Sequence, residues 1–299
     1  MARGCPWVVR RRNLPPMGMI ERSIECSGPH GLHRVAYCDW AGPLADSPVV
    51  LCLHGLTRNS RDFDLLAEVI SADFRVICPD MPGRGKSDWL SDPMDYAFSV
   101  YLSDIRVLLS ALPVDKIDLV GTSMGGNLGM LMAAEKGHRI RRLVMNDIGP
   151  LIAKKGLKRI RKYVGRDPSF RDLDELEAAL RYVFAGFGDL GDSVWRAMAE
   201  HSMRRKPDGT LGLNYDPAIG VPFQQGRLRD IDLWAQYDAV DCPTLVLRGA
   251  DSDILRAKDA RAMTERGPRA RLIEYPGIGH APSLTTPEQI AAVREFLLA

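Results

Sequence analysis

A serine flanked by glycines is the strongest chemical signal in the sequence. Residues 121–126 read Gly-Thr-Ser-Met-Gly-Gly, so Ser123 lies in a G-x-S-x-G pattern. An apolar run ends at Val120, and a run with helical spacing begins at Asn127. At a strand-to-helix junction this pattern is typical of a nucleophile elbow, because small flanking residues let the chain turn sharply beneath an exposed hydroxyl. The sequence therefore predicts Ser123 as a nucleophile.

A serine hydroxyl needs a neighbouring base to act at neutral pH, and His280 is the best candidate. It lies in a loop, residues 277–282, that follows the strand-like run 272–275. Glycines before this histidine and a proline after it favour a loop that presents the imidazole. The other histidines lack such a setting. Four are predicted to be structural or surface residues, and the fifth is predicted to brace its own loop by internal hydrogen bonds: His30, His33, His138 and His201, and then His54.

A third group, a carboxylate, should hold the imidazole tautomer and stabilise its cation. The loop after the apolar run 244–247 contains two aspartates, Asp251 and Asp253. We prefer Asp253, because an aspartate that leads directly into an apolar pair can face inward. Asp251 and Asp147, which ends another apolar run, remain open as alternatives.

Acyl transfer also requires donors for the developing oxyanion. In a nucleophile elbow the first donor is the backbone N–H of the residue after the nucleophile, here Met124. The second comes from the loop that follows an early strand, which reads His-Gly-Leu-Thr at residues 54–57. We assign this donor to the backbone N–H of Leu56.

Several buried strands and amphipathic helices must position these groups. Short, almost continuously apolar runs alternate with longer helical stretches, which predicts an α/β fold with an open, doubly wound, mostly parallel sheet. The predicted strands are 49–53, 75–78, 117–120, 143–145 and 244–247, and the predicted helices are 63–70, 101–112, 128–134 and 288–298. Segments 20–26 and 34–39 predict an antiparallel hairpin at one edge.

One long stretch breaks this alternation and contains no convincing strand. It predicts an inserted helical cap at residues 151–223, with helices at 154–163, 173–184 and 193–203. The α/β core then comprises residues 19–150 and 224–299, and residues 1–18 are a predicted flexible leader. Four apolar cap residues either line an acyl pocket or pack within the cap: Phe184, Phe187, Trp195 and Met198.

The composition excludes several other classes of protein. Among 299 residues, 45% are hydrophobic and 26% are charged, which are ordinary globular values. The 40 basic and 38 acidic residues balance closely, so nucleic acid and membrane surfaces are not expected partners. No apolar run is long enough to span a membrane. The six cysteines form no C-x-x-C pair, and they predict reduced thiols in the cytoplasm, with no disulfide and no zinc site.

A Gly-Lys-Ser sequence at residues 85–87 imitates the end of a phosphate-binding loop. That motif requires a glycine five residues before its second glycine, and Asp80 occupies the position. Nucleotide binding is therefore not expected, and neither a cofactor nor a metal is predicted.

Together these motifs resemble the α/β-hydrolase family, and the resemblance extends from about residue 19 to the end. It rests on His54-Gly55, the turn at residues 80–87, the elbow at Ser123, the aspartate loop and Gly279-His280, in the family's order of serine, acid and histidine. The resemblance implies that residues 151–223 form a variable lid over the substrate. In many members the acid lies three residues after the loop glycine, but Ser252 occupies that position here.

The resemblance implies a serine hydrolase of small or medium carboxylic esters or lactones that forms an acyl-enzyme. A serine nucleophile excludes the dehalogenases and epoxide hydrolases of the family, which use aspartate. Hydrolysis of a carbon–carbon bond in a diketone-like acid, or perhydrolysis, is the alternative, although Ala281 replaces the aromatic residue that ring-cleavage hydrolases often carry there. A third reading is a non-catalytic binding protein, which the presence of nucleophile, base and acid opposes.

Overall fold

Strands and helices alternate through residues 18–299, the part of the chain that the computed structural model describes. The strands are β1 (Met19–Gly28), β2 (Gly31–Trp40), β3 (Val49–Leu53), β4 (Arg75–Pro79), β5 (Ile117–Thr122), β6 (Ile140–Asn146), β7 (Leu151–Ile152), β8 (Met203–Arg205), β9 (Leu211–Leu213), β10 (Ile231–Asp232), β11 (Thr244–Gly249) and β12 (Arg271–Tyr275). The helices are α1 (Asp64–Ile70), α2 (Phe98–Ser110), α3 (Met124–Ala133), α4 (Lys154–Tyr163), α5 (Leu173–Val183), α6 (Asp192–Ser202), α7 (Val221–Gln224), α8 (Trp234–Asp238), α9 (Ala257–Glu265) and α10 (Pro287–Leu298).

Eight of these strands form one sheet in the order β1-β2-β4-β3-β5-β6-β11-β12. Neighbours from β4 to β12 pair in parallel, whereas β2 is antiparallel to both β1 and β4. The predicted mostly parallel sheet and its edge hairpin are therefore confirmed. In this register Thr122 lies opposite Asn146, and Asn146 lies opposite Leu247, so the ends of β5, β6 and β11 meet at one edge.

Burial on both faces explains why the central strands are continuously apolar. All five residues of β3 are buried. Val49, Leu51 and Leu53 belong to the core on one face of the sheet, and Val50 and Cys52 belong to the core on the other. Because alternate side chains of a strand point to opposite faces, both faces need apolar residues. This is the covered parallel sheet that the sequence predicts.

The chain between β6 and β11 leaves the sheet and forms what we call the cap segment, residues 151–232. Helices α4, α5 and α6 agree closely with the predicted cap helices. The expectation that this stretch contains no strand is wrong, because β8 pairs with β9, and β7 pairs with β10 at the base of the segment. These strands have only two or three residues each, too few to show alternation. The domain boundaries at 151 and 223 stay a prediction.

The cap segment has its own apolar cluster, separate from the two cores of the sheet. Its buried members are Phe170, Leu176, Leu180, Leu190, Trp195, Ala199 and Leu211. Trp195 therefore packs within the cap, whereas Phe184, Phe187 and Met198 are only partly buried against the cluster.

Five cysteines of the described chain are buried and free: Cys26, Cys38, Cys52, Cys78 and Cys242. Burial raises the pKa of Cys26 to about 12 and of Cys38 to about 11, so both thiols are protonated at neutral pH. Among the helices of residues 18–299, none combines the length and apolar character of a membrane span. The predicted leader lies outside the described residues, except for Gly18.

Candidate active site

Ser123 lies in a sharp turn between β5 and α3. Its backbone has φ +52° and ψ −113°, a conformation that side-chain-bearing residues rarely adopt. The turn is possible because its neighbours are glycines: a Cβ on Gly121 would lie 2.3 Å from the Gly125 carbonyl oxygen, and one on Gly125 would lie 2.0 Å from the Leu53 carbonyl oxygen. The Ser123 N–H also donates to the Asn146 carbonyl, at 2.9 Å. This local geometry is that of the predicted nucleophile elbow.

The His280 ring lies between the serine hydroxyl and a carboxylate. Its Nε2 is 2.9 Å from the Ser123 Oγ, and its Nδ1 is 2.7 Å from the Asp147 Oδ2. Because a carboxylate accepts only, Nδ1–H donates to Asp147, which leaves Nε2 free to accept the serine proton. The hydroxyl, the imidazole and the carboxylate thus form one continuous chain of hydrogen bonds, a Ser-His-Asp triad.

Asp147 is fully buried, and donors surround its carboxylate. Oδ1 accepts from the Gly249 N–H at 2.9 Å, and Oδ2 accepts from the Ser252 Oγ at 2.5 Å as well as from His280. These donors replace water around the buried group, which would otherwise be costly to desolvate. They also fix the direction in which the carboxylate faces the imidazole.

The expectation that Asp253 contacts His280 is wrong in this structure. Its carboxylate is 43% exposed and pairs with Arg159 of the cap segment, at 2.8 Å. Asp251 is also exposed, and its N–H donates to the Ile278 carbonyl. Between them, Ser252 turns inward and donates to Asp147. Of the three candidates, only the alternative Asp147 lies against the imidazole.

Asn146 lies near these three residues and was not singled out from the sequence, although a signal was present. Asn146 donates through Nδ2 to the Thr122 Oγ1 at 3.0 Å and to the Pro282 carbonyl at 2.8 Å. It therefore ties the elbow to the His280 loop. The polar pair Asn146-Asp147 at the end of an apolar strand could have indicated a site here.

The predicted oxyanion donors lie in the expected elements. Met124 is the first residue of α3, where backbone N–H groups have no acceptor within the helix. The loop that carries Leu56 runs beside the nucleophile, since a Cβ built on Gly55 would lie 3.8 Å from the Ser123 Cβ. The roles of both N–H groups as donors stay a prediction.

His54 is fully buried and uses both ring nitrogens within its own surroundings. Nδ1–H donates to the Gly55 carbonyl at 2.7 Å, and Nε2 accepts from the Met81 N–H at 2.9 Å. Burial lowers the pKa of His54 to about 4, so the ring is neutral at pH 7. The predicted bracing role is confirmed, and no nitrogen is left to act as a base.

Arg84 is a buried cation that the sequence analysis did not single out. Its Nε donates to the Leu56 carbonyl at 2.8 Å, its Nη1 donates to the Tyr101 hydroxyl at 2.8 Å, and its Nη2 lies 3.9 Å from the Met124 Sδ. It pairs with no carboxylate of residues 18–299. Arg84 thus contacts both residues that carry the predicted oxyanion donors.

Two cavities lie between the cap segment and residues that adjoin this site in the sequence, and neither is lined by Ser123 or His280. One, of about 330 Å³, is lined by residues that include Thr122, Phe187, Met198 and Pro282. The other, of about 280 Å³, is lined by residues that include Thr57, Phe170, Phe184 and Tyr215. Arg58 lines both, and its guanidinium lies 5.0 Å from the centre of the Phe184 ring. The cap also contacts the histidine loop directly, because the Gly279 N–H donates to the Gly186 carbonyl at 2.6 Å.

Three of the other histidines contact carboxylates outside this site, which agrees with their predicted structural or surface role. His30 contacts Asp95, His33 contacts Asp104 and His138 contacts Asp241, at 2.8, 3.0 and 2.7 Å. His201, in contrast, lines the larger cavity. Burial lowers its pKa.

A mostly parallel eight-stranded sheet with an elbow serine, a loop histidine and a buried aspartate at its carboxyl edge defines an α/β hydrolase. The chain belongs to the α/β-hydrolase fold family, whose sequence model matches residues 48–287. It is 40% identical over 281 residues to a 3-hydroxybutyrate-oligomer hydrolase of Cupriavidus necator, covering 91% of this chain and 96% of that protein.

Two further relatives extend this comparison. A 2-(acetamidomethylene)succinate hydrolase of Mesorhizobium japonicum is 27% identical over 252 residues, which cover 84% of this chain and 88% of that protein. The crystal structure of an α/β hydrolase from Novosphingobium aromaticivorans superimposes with a TM-score of 0.83 at 38% identity, covering 94% of this chain and 98% of that one. The chain is an enzyme, a hydrolase of carboxylic esters, as the sequence predicts.

Proposed function

We propose that this enzyme cleaves ester bonds in short linear oligomers of a small hydroxy acid of the 3-hydroxybutyrate type, through an acyl-enzyme on Ser123. The observation that carries the proposal is the chain of hydrogen bonds from Ser123 through His280 to Asp147. The substrate class follows from the 40% identity to the Cupriavidus necator hydrolase.

In the first half-reaction the Ser123 Oγ attacks the ester carbonyl carbon while its proton passes to the His280 Nε2. Asp147 accepts a hydrogen bond from Nδ1–H and stabilises the imidazolium. The backbone N–H groups of Leu56 and Met124 donate to the oxyanion of the tetrahedral intermediate. When this intermediate collapses, Nε2–H returns the proton to the departing hydroxyl of the shortened oligomer.

In the second half-reaction a water molecule gives a proton to the His280 Nε2 and attacks the acyl carbonyl. The proton then returns to the Ser123 Oγ, and the hydroxy acid leaves. The overall change is the addition of one water across one ester bond, and it requires no metal or organic cofactor.

Two cavities close to the site offer room for the units of such an oligomer. One is lined by Thr122, which precedes the nucleophile in the sequence, and by Pro282 of the His280 loop, and the other is lined by Thr57, which follows Leu56. Each has a volume of about 300 Å³ and apolar side chains in its lining, which suits the methyl-bearing units of such an oligomer. The partner is thus a small molecule, and the buried free thiols favour action in the reducing cytoplasm.

The test measures kcat/KM with the linear dimer and trimer of 3-hydroxybutyrate, with nitrophenyl butyrate and with a diketone-like acid. We expect the oligomers and the simple ester to be hydrolysed. Ser123→Ala should lower kcat/KM by roughly 10³- to 10⁶-fold, because members of a catalytic triad act as a unit. Ser110→Ala, which changes an exposed helix residue, should leave it unchanged.

Different failures of this test have different meanings. Cleavage of the diketone-like acid without ester hydrolysis would replace the proposal with carbon–carbon bond hydrolysis. Hydrolysis of the simple ester without the oligomers would reject the substrate class alone. A fluorophosphonate that labels the wild type but not Ser123→Ala locates the nucleophile, and an unlabelled wild type would reject it.

A further inference from the structure

Three potential metal ligands that are distant in the sequence meet in the interior, away from the proposed catalytic triad. Cys26 lies on β1, His33 on β2 and Asp104 on α2. One ligand atom from each lies within 4.8 Å of the other two. All three residues are buried, with 2%, 6% and 1% of their surfaces exposed.

The hydrogen bonds within this cluster leave one buried oxygen without a partner. The Asp104 Oδ2 lies 3.0 Å from the His33 Nε2. Its Oδ1 has no hydrogen-bond partner among residues 18–299 although solvent does not reach it. A buried acceptor that stays unpaired typically costs about 1–3 kcal/mol, and more if it is charged. The Cys26 thiol also interacts with this carboxylate, so sulfur, imidazole and carboxylate all face one another.

The donor set matches one class of cation. A thiolate, an imidazole nitrogen and a carboxylate oxygen are the ligands of zinc, whereas magnesium and calcium prefer oxygen alone. One thiolate and one carboxylate also neutralise a divalent charge, so the loaded cluster carries no net charge in the interior. Burial of the cluster excludes a second catalytic cysteine, because a substrate cannot reach a thiol that is 2% exposed.

We propose that Cys26, His33 and Asp104 bind one zinc-class divalent cation that cross-links the edge hairpin β1–β2 to helix α2. On binding, the Cys26 thiol releases its proton to solvent and the sulfur coordinates the ion. The His33 imidazole gives a nitrogen lone pair, and Asp104 gives a carboxylate oxygen. Water supplies the fourth ligand.

The surroundings leave one side of the cluster near the surface and hold the imidazole. His33 also lines a surface cavity of about 200 Å³, so this side of the cluster borders the solvent. A Cβ on Gly28 would lie 3.4 Å from the His33 Cε1, so the hairpin backbone packs closely against the ring. Three strands separate β1 from β5, so Cys26 on β1 lies roughly 19 Å from β5 across the sheet at about 4.8 Å per strand. The site is therefore structural and independent of the proposed function.

The first test uses the full chain, purified without chelators, then stripped and reloaded. We expect one Zn²⁺ per chain by elemental analysis. With Co²⁺ in its place, a thiolate-to-metal charge-transfer band should appear in the near ultraviolet. Cys26→Ser should abolish this band, and Cys38→Ser, which changes a buried cysteine on the same strand pair, should keep it. A wild type that binds no Zn²⁺ and shows no such band would overturn the proposal.

The second test separates metal binding from a purely hydrogen-bonded cluster. Zn²⁺ at about a hundredfold its Kd should raise the thermal midpoint of the wild type by roughly 5–10 °C, and Mg²⁺ should not. The Cys26→Ser and His33→Gln variants should lose this response. An equal midpoint with and without Zn²⁺ in the wild type would reject the site even if these variants fail to fold. Removing the metal should leave kcat for ester hydrolysis unchanged at temperatures where the chain stays folded.

Discussion

Hydrogen bonds hold the Asp147 carboxylate in the orientation in which it faces His280. Its Oδ1 and Oδ2 accept from Gly249, Ser252 and His280, so its orientation is fixed before any substrate binds. Such preorganisation lowers the cost of forming the imidazolium during the reaction. Asp253, in contrast, is half in solvent, and it holds the cap segment through Arg159.

The two aspartates therefore differ in the effect expected from removing their charge. Asp147→Asn should lower kcat by roughly 10⁴-fold, because an amide can donate to Nδ1 and so stabilise the wrong imidazole tautomer. Asp253→Asn should change kcat less than about twofold, since an exposed ion pair contributes little. Steady-state kinetics on an ester substrate checks both variants. A larger loss in Asp253→Asn than in Asp147→Asn would contradict the assignment.

The acid also shows where sequence reasoning reaches its limit. Ser123 and His280 could be predicted because their neighbouring glycines constrain the chain locally. The choice between Asp147 and Asp253 depends on which strands are neighbours and on the direction of three side chains in one loop. The polar pair Asn146-Asp147 indicates a site at the end of β6, but the order β5-β6-β11 arises from long-range packing and leaves no pattern in a single sequence.

At the scale of elements, the loop between β4 and α2 supports the predicted oxyanion donors. Arg84 from this loop contacts Leu56 and Met124, and its backbone pairs with Tyr215 of the cap segment. A buried guanidinium without a carboxylate partner is costly to keep in the interior. Its hydrogen bonds to carbonyl and hydroxyl groups offset part of that cost and connect core, cap and site.

Replacing this cation should separate its positioning role from substrate binding. Arg84→Lys keeps the charge but loses the planar guanidinium, which contacts several groups at once. We therefore expect kcat to fall by roughly 10- to 100-fold while KM stays within about twofold. The control is Arg141→Lys, which alters an ion pair with Asp118 near the amino ends of β5 and β6, away from the site. This variant should leave kcat unchanged. A KM increase with normal kcat in Arg84→Lys would show that it acts on substrate binding instead.

The junction between β3 and α3 gives a prediction about stability. Gly125→Ala would place a methyl group 2.0 Å from the Leu53 carbonyl oxygen, so α3 must move away from the strand. We expect a loss of about 1–3 kcal/mol in the free energy of unfolding, despite the better helix propensity of alanine. Urea denaturation measures this loss. Gly18→Ala, with open space around the added methyl, should be neutral, and equal stability of both variants would contradict the packing argument.

The cap segment shows which elements could be read from the sequence. Helices α4, α5 and α6 have apolar residues at helical spacing over ten or more positions, and they were predicted within a few residues. The pairs β8–β9 and β7–β10 were missed because strands of two or three residues contain too few side chains to define alternation. Their pairing depends on contacts within the folded cap.

At the scale of the whole molecule, the proposed catalytic triad depends on the complete sheet. Ser123 and His280 are 157 residues apart in sequence, and Asp147 and His280 are 133 apart. Parallel strands with right-handed crossovers bring all their carboxyl ends to one edge, where these groups meet. Loss of the global fold therefore removes the site entirely, so conditions that destabilise the chain also limit its activity.

Acid is one such condition, and His54 predicts how the stability of the whole chain responds. Burial lowers its pKa from 6.5 in the unfolded chain to about 4 in the folded one. Below pH 6.5 the unfolded state takes up a proton that the folded state does not bind, so stability is full above 6.5 and declines down to about pH 4. The shift corresponds to roughly 3 kcal/mol of unfolding free energy lost across this window.

Urea denaturation at pH 7 and pH 4.5 measures that loss, and comparison with His54→Gln isolates the imidazole from the carboxylates that also titrate in this range. We expect the variant to be less stable at pH 7, because the Met81 N–H and the Gly55 carbonyl lose their partner, but to lose less stability on acidification than the wild type. His30→Gln is the control: Asp95 raises the pKa of this exposed histidine, so its removal cannot reduce the loss in acid. Identical pH dependence in the wild type and His54→Gln would show that the buried ring does not govern acid unfolding.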